Sequence, residues 1–217
     1  ATMLWSNYPS AGKTGRFNEE GWSLMPDGTL LTVDCSNAPH TERYLPGLGQ
    51  WISAGDTPAN LVDPPSLEIG PQVLMPDGKV IAFGATGKNA IYTPGTNLTD
   101  PGSWAAAPDF PLLSGAQLTV ADGPACLMPN GKVLVGASPD VFNSPTKFFE
   151  FDGTNLNSVP ETPNSPGNPC FVGNMLMLPT GQVMYTDFSD DVEIYTPTGN
   201  VTAAWRPTIT NPPSTVV

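Results

Sequence analysis

The stretch "SLMPDG", residues 23–28, consists of the end of an apolar run followed by Pro–Asp–Gly, which is typical of a tight turn. Proline sets the backbone torsion φ for the first turn position, and glycine accepts the positive φ that other residues resist. Nearly the same phrase returns as "VLMPDG" at 73–78, "CLMPNG" at 126–131 and "LMLPTG" at 176–181, each time followed by a second apolar run. The sequence therefore predicts four β-hairpins, with turns at 26–28, 76–78, 129–131 and 179–181.

The hairpins belong to a longer repeat of nearly constant period. Successive turn glycines are 50, 53 and 50 residues apart, and they are Gly28, Gly78, Gly131 and Gly181. Each repeat continues into a third β-type run that carries one of the aromatic residues Tyr44, Tyr92, Phe151 and Tyr195. A tryptophan marks a fourth run in three of the repeats, at Trp51, Trp104 and Trp205. Repeats of about 50 residues with four antiparallel strands are typical of kelch-type β-propeller blades.

We expect an all-β chain in which residues 1–217 form a single β-propeller domain or segment of four four-stranded blades. The predicted blades cover about residues 16–60, 61–115, 116–168 and 169–212. Residues 1–10 contain Trp5 and resemble a fourth strand without the three strands before it, so we assign them to a preceding blade. Because one blade cannot bury both of its faces, the blades must stack on one another.

Two arrangements of the four blades remain open: a partial arc of a larger ring, or a closed four-bladed ring. The cysteines are Cys35, Cys126 and Cys170, and their odd number leaves at least one thiol unpaired. Cys35 ends a predicted second strand and Cys170 precedes a first strand, so both belong to the same end of the propeller. Since they lie three blades apart, we expect a disulfide between them only in the closed ring.

Longer phrases around the turns resemble bacterial and fungal kelch-repeat proteins of the galactose-oxidase-like superfamily. These phrases are "NEEGWSLMPDGTLLTVD" (18–34), "EIGPQVLMPDGKVIAFGATG" (68–87), "ADGPACLMPNGKVLVGASP" (121–139), "FFEFDGT" (148–154) and "MLMLPTGQVMYTDFSDDVEIYTPTG" (175–199). The resemblance implies a secreted protein with a seven-bladed propeller followed by an immunoglobulin-like domain. It covers almost the whole chain, which then corresponds to the last four blades and one strand of that ring.

Copper chemistry does not follow from this resemblance. The copper radical oxidases of the superfamily use two histidine ligands, two tyrosine ligands and a cysteine joined to one tyrosine. This chain has one histidine, His40, and so lacks the histidine pair that such a copper site needs. We therefore reject copper radical oxidase activity for this chain and assign no catalytic residue.

The charge balance restricts the partners. The chain carries 20 acidic and 8 basic residues, a net charge of −12 and a pI near 4.1. Such a charge disfavours binding to nucleic acid or to an anionic membrane surface. No run of 18 apolar residues occurs, so the sequence predicts no membrane-spanning helix.

Acidic residues recur just before the predicted first strands. Glu19 and Asp122 lie nine residues before their turn glycine, Glu20 lies eight before, and Glu68 ten before. Because first strands line the central channel of a propeller, we expect these carboxylates around one channel mouth. Oxygen ligands suit Ca²⁺ or hydroxyl-rich ligands such as sugars. We predict Glu19, Glu68 and Asp122 as metal ligands and add Glu20 as a ligand-binding residue; the structural alternative is carboxylates that accept backbone N–H bonds or face solvent.

The function predicted from these features is an extracellular, non-catalytic binding or scaffolding module, with a glycan as candidate ligand. Its predicted partners are further propeller blades or another protein chain. The alternative is a carbohydrate-active hydrolase or lyase that uses the carboxylates at the channel mouth. Glu19 with Glu68 or Asp122 would then be the acid–base pair, since Glu19 and Glu20 are adjacent and point to opposite faces of a strand.

Overall fold

The computed structural model describes Trp5, Asn7 and residues 10–199. Within these residues the chain forms seventeen β-strands, one short 3₁₀ helix at Cys170–Val172 and no α-helix. The predicted all-β fold is therefore confirmed. No helix among the described residues is long and apolar enough to cross a membrane.

The first two sheets have the same simple order of four antiparallel strands. The first sheet contains β1 (Trp22–Leu24), β2 (Leu30–Val33), β3 (His40–Leu45) and β4 (Gln50–Asp56). The second contains β5 (Gln72–Leu74), β6 (Val80–Phe83), β7 (Asn89–Thr93) and β8 (Ser103–Ala107). Each strand pairs with the next one along the chain, which is the up-and-down order that the repeat predicts.

The third sheet is larger than its sequence repeat predicts. It contains β11 (Ala125–Leu127), β12 (Val133–Pro139), β13 (Lys147–Phe151) and β14 (Leu156–Val159). The far end of β12 extends past β11 and pairs with an additional hairpin of β9 (Leu112–Leu113) and β10 (Ala116–Thr119). The fourth sheet contains β15 (Asn174–Met177), β16 (Val183–Thr186) and β17 (Glu193–Tyr195).

The four predicted hairpins are all present, and their turns share one geometry. The turn glycines have φ between 82° and 83°, a conformation that strongly favours glycine. Each turn is closed by a hydrogen bond from the glycine N–H to the carbonyl three residues earlier, at 2.9 to 3.0 Å. The acceptors are Met25, Met75, Met128 and Leu178. The repeated phrase therefore fixes the start of every sheet in the same way.

The core lies between successive sheets. Leu31, Val80 and Tyr92 pack between the first and second sheets. A larger cluster around Phe83 joins the second sheet to the third, and Leu134 with Val183 joins the third to the fourth. The first strands also touch in chain order, β1 with β5, β5 with β11 and β11 with β15. The sheets are thus stacked side by side around their first strands, which is a β-propeller-like arrangement.

The faces at the two ends of this stack differ. On the last sheet, Leu176 and Ile194 point away from the third sheet and are 56% and 47% exposed. On the first sheet, residues 10–20 lie against the outer face and cover Thr32 and Glu42, which are buried. We call residues 10–20 the strap.

Some predictions fall outside the described residues or differ from the structure. The fourth strand predicted around Trp205 lies outside them, as does most of the strand predicted at 1–10. Trp5 is described, and it is fully exposed. Cys35 and Cys170 are both free, so the disulfide expected of a closed ring is absent.

Packing between the second and third sheets gives a testable prediction. Phe83 is fully buried, with its ring centroid 5.9 Å from that of Phe110 and 6.2 Å from that of Phe151. We expect Phe83→Ala to lower the free energy of unfolding by about 3–5 kcal/mol, because a large cavity opens between the sheets. Urea denaturation measures this loss.

Leu112→Ala is the matched control, since Leu112 is 64% exposed on β9. We expect this change to alter the free energy of unfolding by no more than about 0.5 kcal/mol. Equal losses for the two variants would contradict the assignment of the core to the contact between sheets.

Candidate functional site

Three chain segments bend sharply just before β1, β5 and β11. In each segment one residue other than glycine adopts a left-handed backbone conformation: Glu19 with φ 57°, Leu67 with φ 65° and Asp122 with φ 52°. This conformation is uncommon for such residues and costs about 1–3 kcal/mol, and it occurs often at functional sites. The bends place the side chains of the three segments at the same end of the stacked first strands.

The three segments bring three carboxylates together. Glu19, Glu68 and Asp122 each offer an oxygen, and these oxygens all lie within 4.8 Å of one another. We call these three residues the acidic triad. Each comes from a different repeat, so the triad exists only because the first three sheets are stacked. The fourth repeat has Val172 at the matching position and adds no carboxylate.

Backbone hydrogen bonds hold two members of the triad. The carbonyl of Glu68 accepts from Asp63 N at 2.9 Å, and the carbonyl of the next residue, Ile69, accepts from Asp122 N at 3.2 Å. The segments that carry Glu68 and Asp122 are therefore joined directly. Glu19 is held differently: its carbonyl accepts a weak bond from Cys35 Sγ at 3.6 Å.

The electrostatics of the triad are unfavourable without a counter-charge. Burial raises the pKa of Glu68 to about 7, assisted by its hydrogen bond with Asp122 and by the charges of Asp122 and Glu19. Its Oε2 atom is buried and accepts no hydrogen bond within the described part of the chain. The site therefore has a carboxyl group that favours either a proton or a cation at neutral pH.

An open cavity of about 400 Å³ lies beside the triad. Glu19 and Asp122 line it together with Phe17 and Trp22. These two aromatic side chains are each 55% exposed, and their ring centroids are 6.1 Å apart. The sequence pattern does not indicate Phe17 or Trp22, because only their position next to the triad distinguishes them from other aromatic residues.

Glu20 lines the same cavity but is already paired. Its Oε1 accepts a hydrogen bond from Lys13 Nζ at 2.8 Å, and its side chain is only 1% exposed. Burial raises the pKa of Glu20, while the Lys13 ammonium opposes that rise. Of the four predicted ligand-binding residues, the structure thus brings three into the triad and places Glu20 in an ion pair beside it.

The donor set of the triad fits a hard divalent cation. Ca²⁺ takes six to eight oxygen ligands, and three carboxylates supply three to six of them. The remaining positions are then open to water or to oxygens of a ligand. Cys35 lies below the triad, but burial and the nearby charges of Glu20 and Asp34 raise the pKa of its thiol to about 12. The thiol is not among the groups that converge in the triad, so the donors that meet there are all carboxylate oxygens.

Comparison with known proteins gives similarity in fold. No family model matches the chain, and no curated protein matches it. A fungal alcohol oxidase of the AA5 family, solved with copper, has 13% identity and a TM-score of 0.51 over 84% of this chain and 44% of that one. PorZ, a surface component of the type-IX secretion system of Porphyromonas gingivalis, has 15% identity and a TM-score of 0.54 over 85% and 27%. The extracellular domain of BT4673 from B. thetaiotaomicron has 14% identity and a TM-score of 0.52 over 82% and 21%.

These similarities show the fold alone. They support a β-propeller-like, all-β chain that is similar to a galactose-oxidase-like protein of the AA5 family. The chain spans less than half of each of the three structures.

The raised pKa of Glu68 gives a prediction about stability. Its folded-state value of about 7 lies above the ordinary value of 4.5, so the folded protein binds this proton more tightly than the unfolded chain does. The stabilisation is complete below about pH 4.5 and is lost as the pH rises through about 7. In cation-free buffer, we therefore expect the free energy of unfolding to fall between about pH 5 and pH 8 more steeply for the native protein than for Glu68→Gln. Urea denaturation at several pH values measures the difference; parallel pH curves would contradict the raised pKa.

Proposed function

We propose that this protein is an extracellular, non-catalytic binding module whose acidic triad holds a divalent cation, with Ca²⁺ as the candidate. The cation in turn binds a hydroxyl-rich ligand, for which a glycan is the candidate class. One observation carries the proposal: three carboxylate oxygens from three separate repeats lie within 4.8 Å of one another.

Repulsion among the three carboxylates of the triad supports the proposal that a cation binds there. Two unit charges 4 Å apart interact by about 4 kcal/mol at an effective dielectric constant of about 20. A triad with three such pairs therefore opposes the stacking of the first three sheets unless a proton or a cation compensates it. Glu68 binds a proton up to a pH of about 7, and a cation provides the compensation above that pH.

The surroundings of the triad support a neutral, hydroxyl-rich ligand. The chain has a net charge of −12, so an anionic ligand meets repulsion from the protein as well as from the triad. Nucleic acid and anionic membranes are disfavoured as partners for the same reason. Sugar hydroxyls supply neutral oxygen ligands to Ca²⁺, and the exposed rings of Phe17 and Trp22 offer apolar surface beside them.

We extend the proposal to the finer architecture: a kelch-type propeller segment of four blades that forms a partial arc of a larger ring. The exposed Leu176 and Ile194 on the last sheet support this arrangement, since a further blade would cover them. The proposed partners are accordingly further blades, from this protein or from another chain. The extracellular location is supported by the fold similarity to two surface or extracellular proteins.

A repeated tryptophan position supports the fourth blade. Trp104 stacks on Tyr92 at 5.2 Å and its indole N–H donates to Thr41 of the first sheet at 2.9 Å. Trp205 recurs near the equivalent sequence position of the fourth repeat, so the proposed fourth blade extends to about residue 212, beyond the described residues.

Removal of one triad carboxylate tests the cation site. We expect Ca²⁺ to raise the melting temperature of the native protein at pH 8, because a ligand that binds only the folded state stabilises it. In Glu68→Gln we expect the affinity for Ca²⁺ to fall by about tenfold or more, since a neutral amide replaces a charged ligand. Isothermal titration calorimetry with CaCl₂ measures both affinities.

Asp109→Asn is the matched control, because Asp109 is an exposed carboxylate that pairs with Lys88 away from the triad. We expect its affinity for Ca²⁺ to equal that of the native protein. Melting curves of the native protein that coincide in CaCl₂ and in a chelator would overturn the cation site.

A second candidate function is a carbohydrate-active hydrolase or lyase. The specific observation in its favour is the pKa of about 7 at Glu68, which is the range in which a carboxyl group acts as general acid or base. Asp122, which has a carboxylate oxygen within 4.8 Å of one of Glu68, would be the second carboxylate of the pair. The raised pKa is also explained by burial and by the repulsion among three carboxylates, which a cation would relieve, and so the binding module remains the primary proposal.

Retention and turnover distinguish the two candidates. For a binding module, we expect retention of one class of glycans on an array in CaCl₂, and no release of reducing ends from the same glycans. Glu68→Gln should lose the retention. Release of reducing or unsaturated ends that Glu68→Gln and Asp122→Asn both abolish would establish the enzyme instead.

A further inference from the structure

The strap is fixed to the first sheet by a buried ionic cluster. Lys13 Nζ lies 2.8 Å from Glu20 Oε1 and 2.5 Å from Glu42 Oε2. The three side chains are 3%, 1% and 1% exposed. Glu42 belongs to β3, whereas Lys13 and Glu20 lie at the two ends of the strap. One ammonium group therefore ties both ends of the strap to the sheet.

Neighbouring contacts depend on the same ammonium. Lys13 Nζ lies 5.3 Å from the ring centroid of Phe17 and 5.5 Å from that of Trp51, so two aromatic rings enclose the cation. Thr14 donates to Glu42 from its backbone N–H at 2.7 Å and from its hydroxyl at 2.8 Å. Without the ammonium, Glu20 and Glu42 would be two buried carboxylates of like charge, which strongly disfavours the seated strap.

The strap carries one member of the acidic triad. Glu19 is next to Glu20, whose carboxylate Lys13 holds. Glu68 and Asp122 are fixed by the backbone bonds between their own segments and do not need the strap. The position of Glu19 is therefore the part of the triad that depends on the seating of the strap.

We propose that Lys13 is the positioning residue of the acidic triad: its ammonium seats the strap on the first sheet and so places the Glu19 carboxylate beside Glu68 and Asp122. The inference rests on the proposed cation site. Lys13 itself does not touch the bound cation, because it is occupied by Glu20 and Glu42. A seated strap gives a complete triad, and a released strap leaves Glu68 and Asp122 as an incomplete one.

Lys13→Met and Lys79→Met form the matched pair that tests the proposal. Both changes remove one positive charge, but Lys79 pairs with Asp77 on an exposed hairpin. Trypsin cleavage after Arg16, which is exposed within the strap, measures release of the strap without any cation. We expect cleavage to be about tenfold faster in Lys13→Met than in the native protein or in Lys79→Met.

Two further measurements separate positioning from mere stabilisation. Loss of a positioning residue weakens metal affinity by about 10- to 100-fold, and we expect a loss of this size for Ca²⁺ in Lys13→Met. In cation-free buffer, NMR titration of the Glu68 carboxyl carbon should show a lower pKa in Lys13→Met, because the charge of Glu19 moves away. Thr14→Val, which keeps the ammonium but removes a hydroxyl donor to Glu42, should give smaller changes in the same direction.

The outcomes distinguish this inference from the proposed function. Absence of Ca²⁺ binding in the native protein, together with a lowered Glu68 pKa in Lys13→Met, would overturn the cation site and leave the positioning role intact. Faster cleavage after Arg16 with an unchanged Glu68 titration would overturn the positioning role. Identical behaviour of Lys13→Met and Lys79→Met in all three measurements would overturn it as well.

Discussion

The burial of each sheet by its neighbour is the constraint on which the rest of the structure depends. A sheet of short strands has two apolar faces and cannot bury them alone, so Phe83 and Leu134 each reach into the next sheet. This stacking also assembles the acidic triad, whose three members come from three repeats. Stability and the assembly of the triad therefore share one requirement, and loss of contact between two sheets disrupts both.

The repulsion within the triad has the opposite effect on stability. The clustering of three carboxylates lowers the stability of the folded state, and so does the left-handed backbone conformation of Glu19 and Asp122. Proteins retain such local strain when the surrounding structure enforces it, and functional sites are where it is commonly found. Here the enforcing contacts are the backbone bond from Asp122 to Ile69 and the packing of the sheets beneath it.

The sequence was sufficient to predict the features that local chemistry and repetition determine. The proline- and glycine-containing turns specify their own geometry, so the hairpins were predictable, and offsets of nine or ten residues from Gly28, Gly78 and Gly131 placed three carboxylates on equivalent segments. Long-range contacts were not predictable. The sequence predicts Glu20 as a ligand-binding residue, but its pairing with Lys13 depends on how the strap crosses the first sheet. The extra hairpin on β12 was missed because its strands are only two and four residues long and do not recur in the other repeats.

The free cysteines have a consequence for how this chain withstands an oxidising environment. Cys35 and Cys170 are 2% and 0% exposed, and burial raises the pKa of both thiols. Only the thiolate attacks a disulfide, and the pKa of about 12 keeps Cys35 almost entirely in its protonated thiol form at neutral pH. The thiols of Cys35 and Cys170 therefore react little with disulfides while the chain is folded. Both thiols become accessible on unfolding, so formation of a mixed disulfide at Cys35 indicates that the molecule has unfolded.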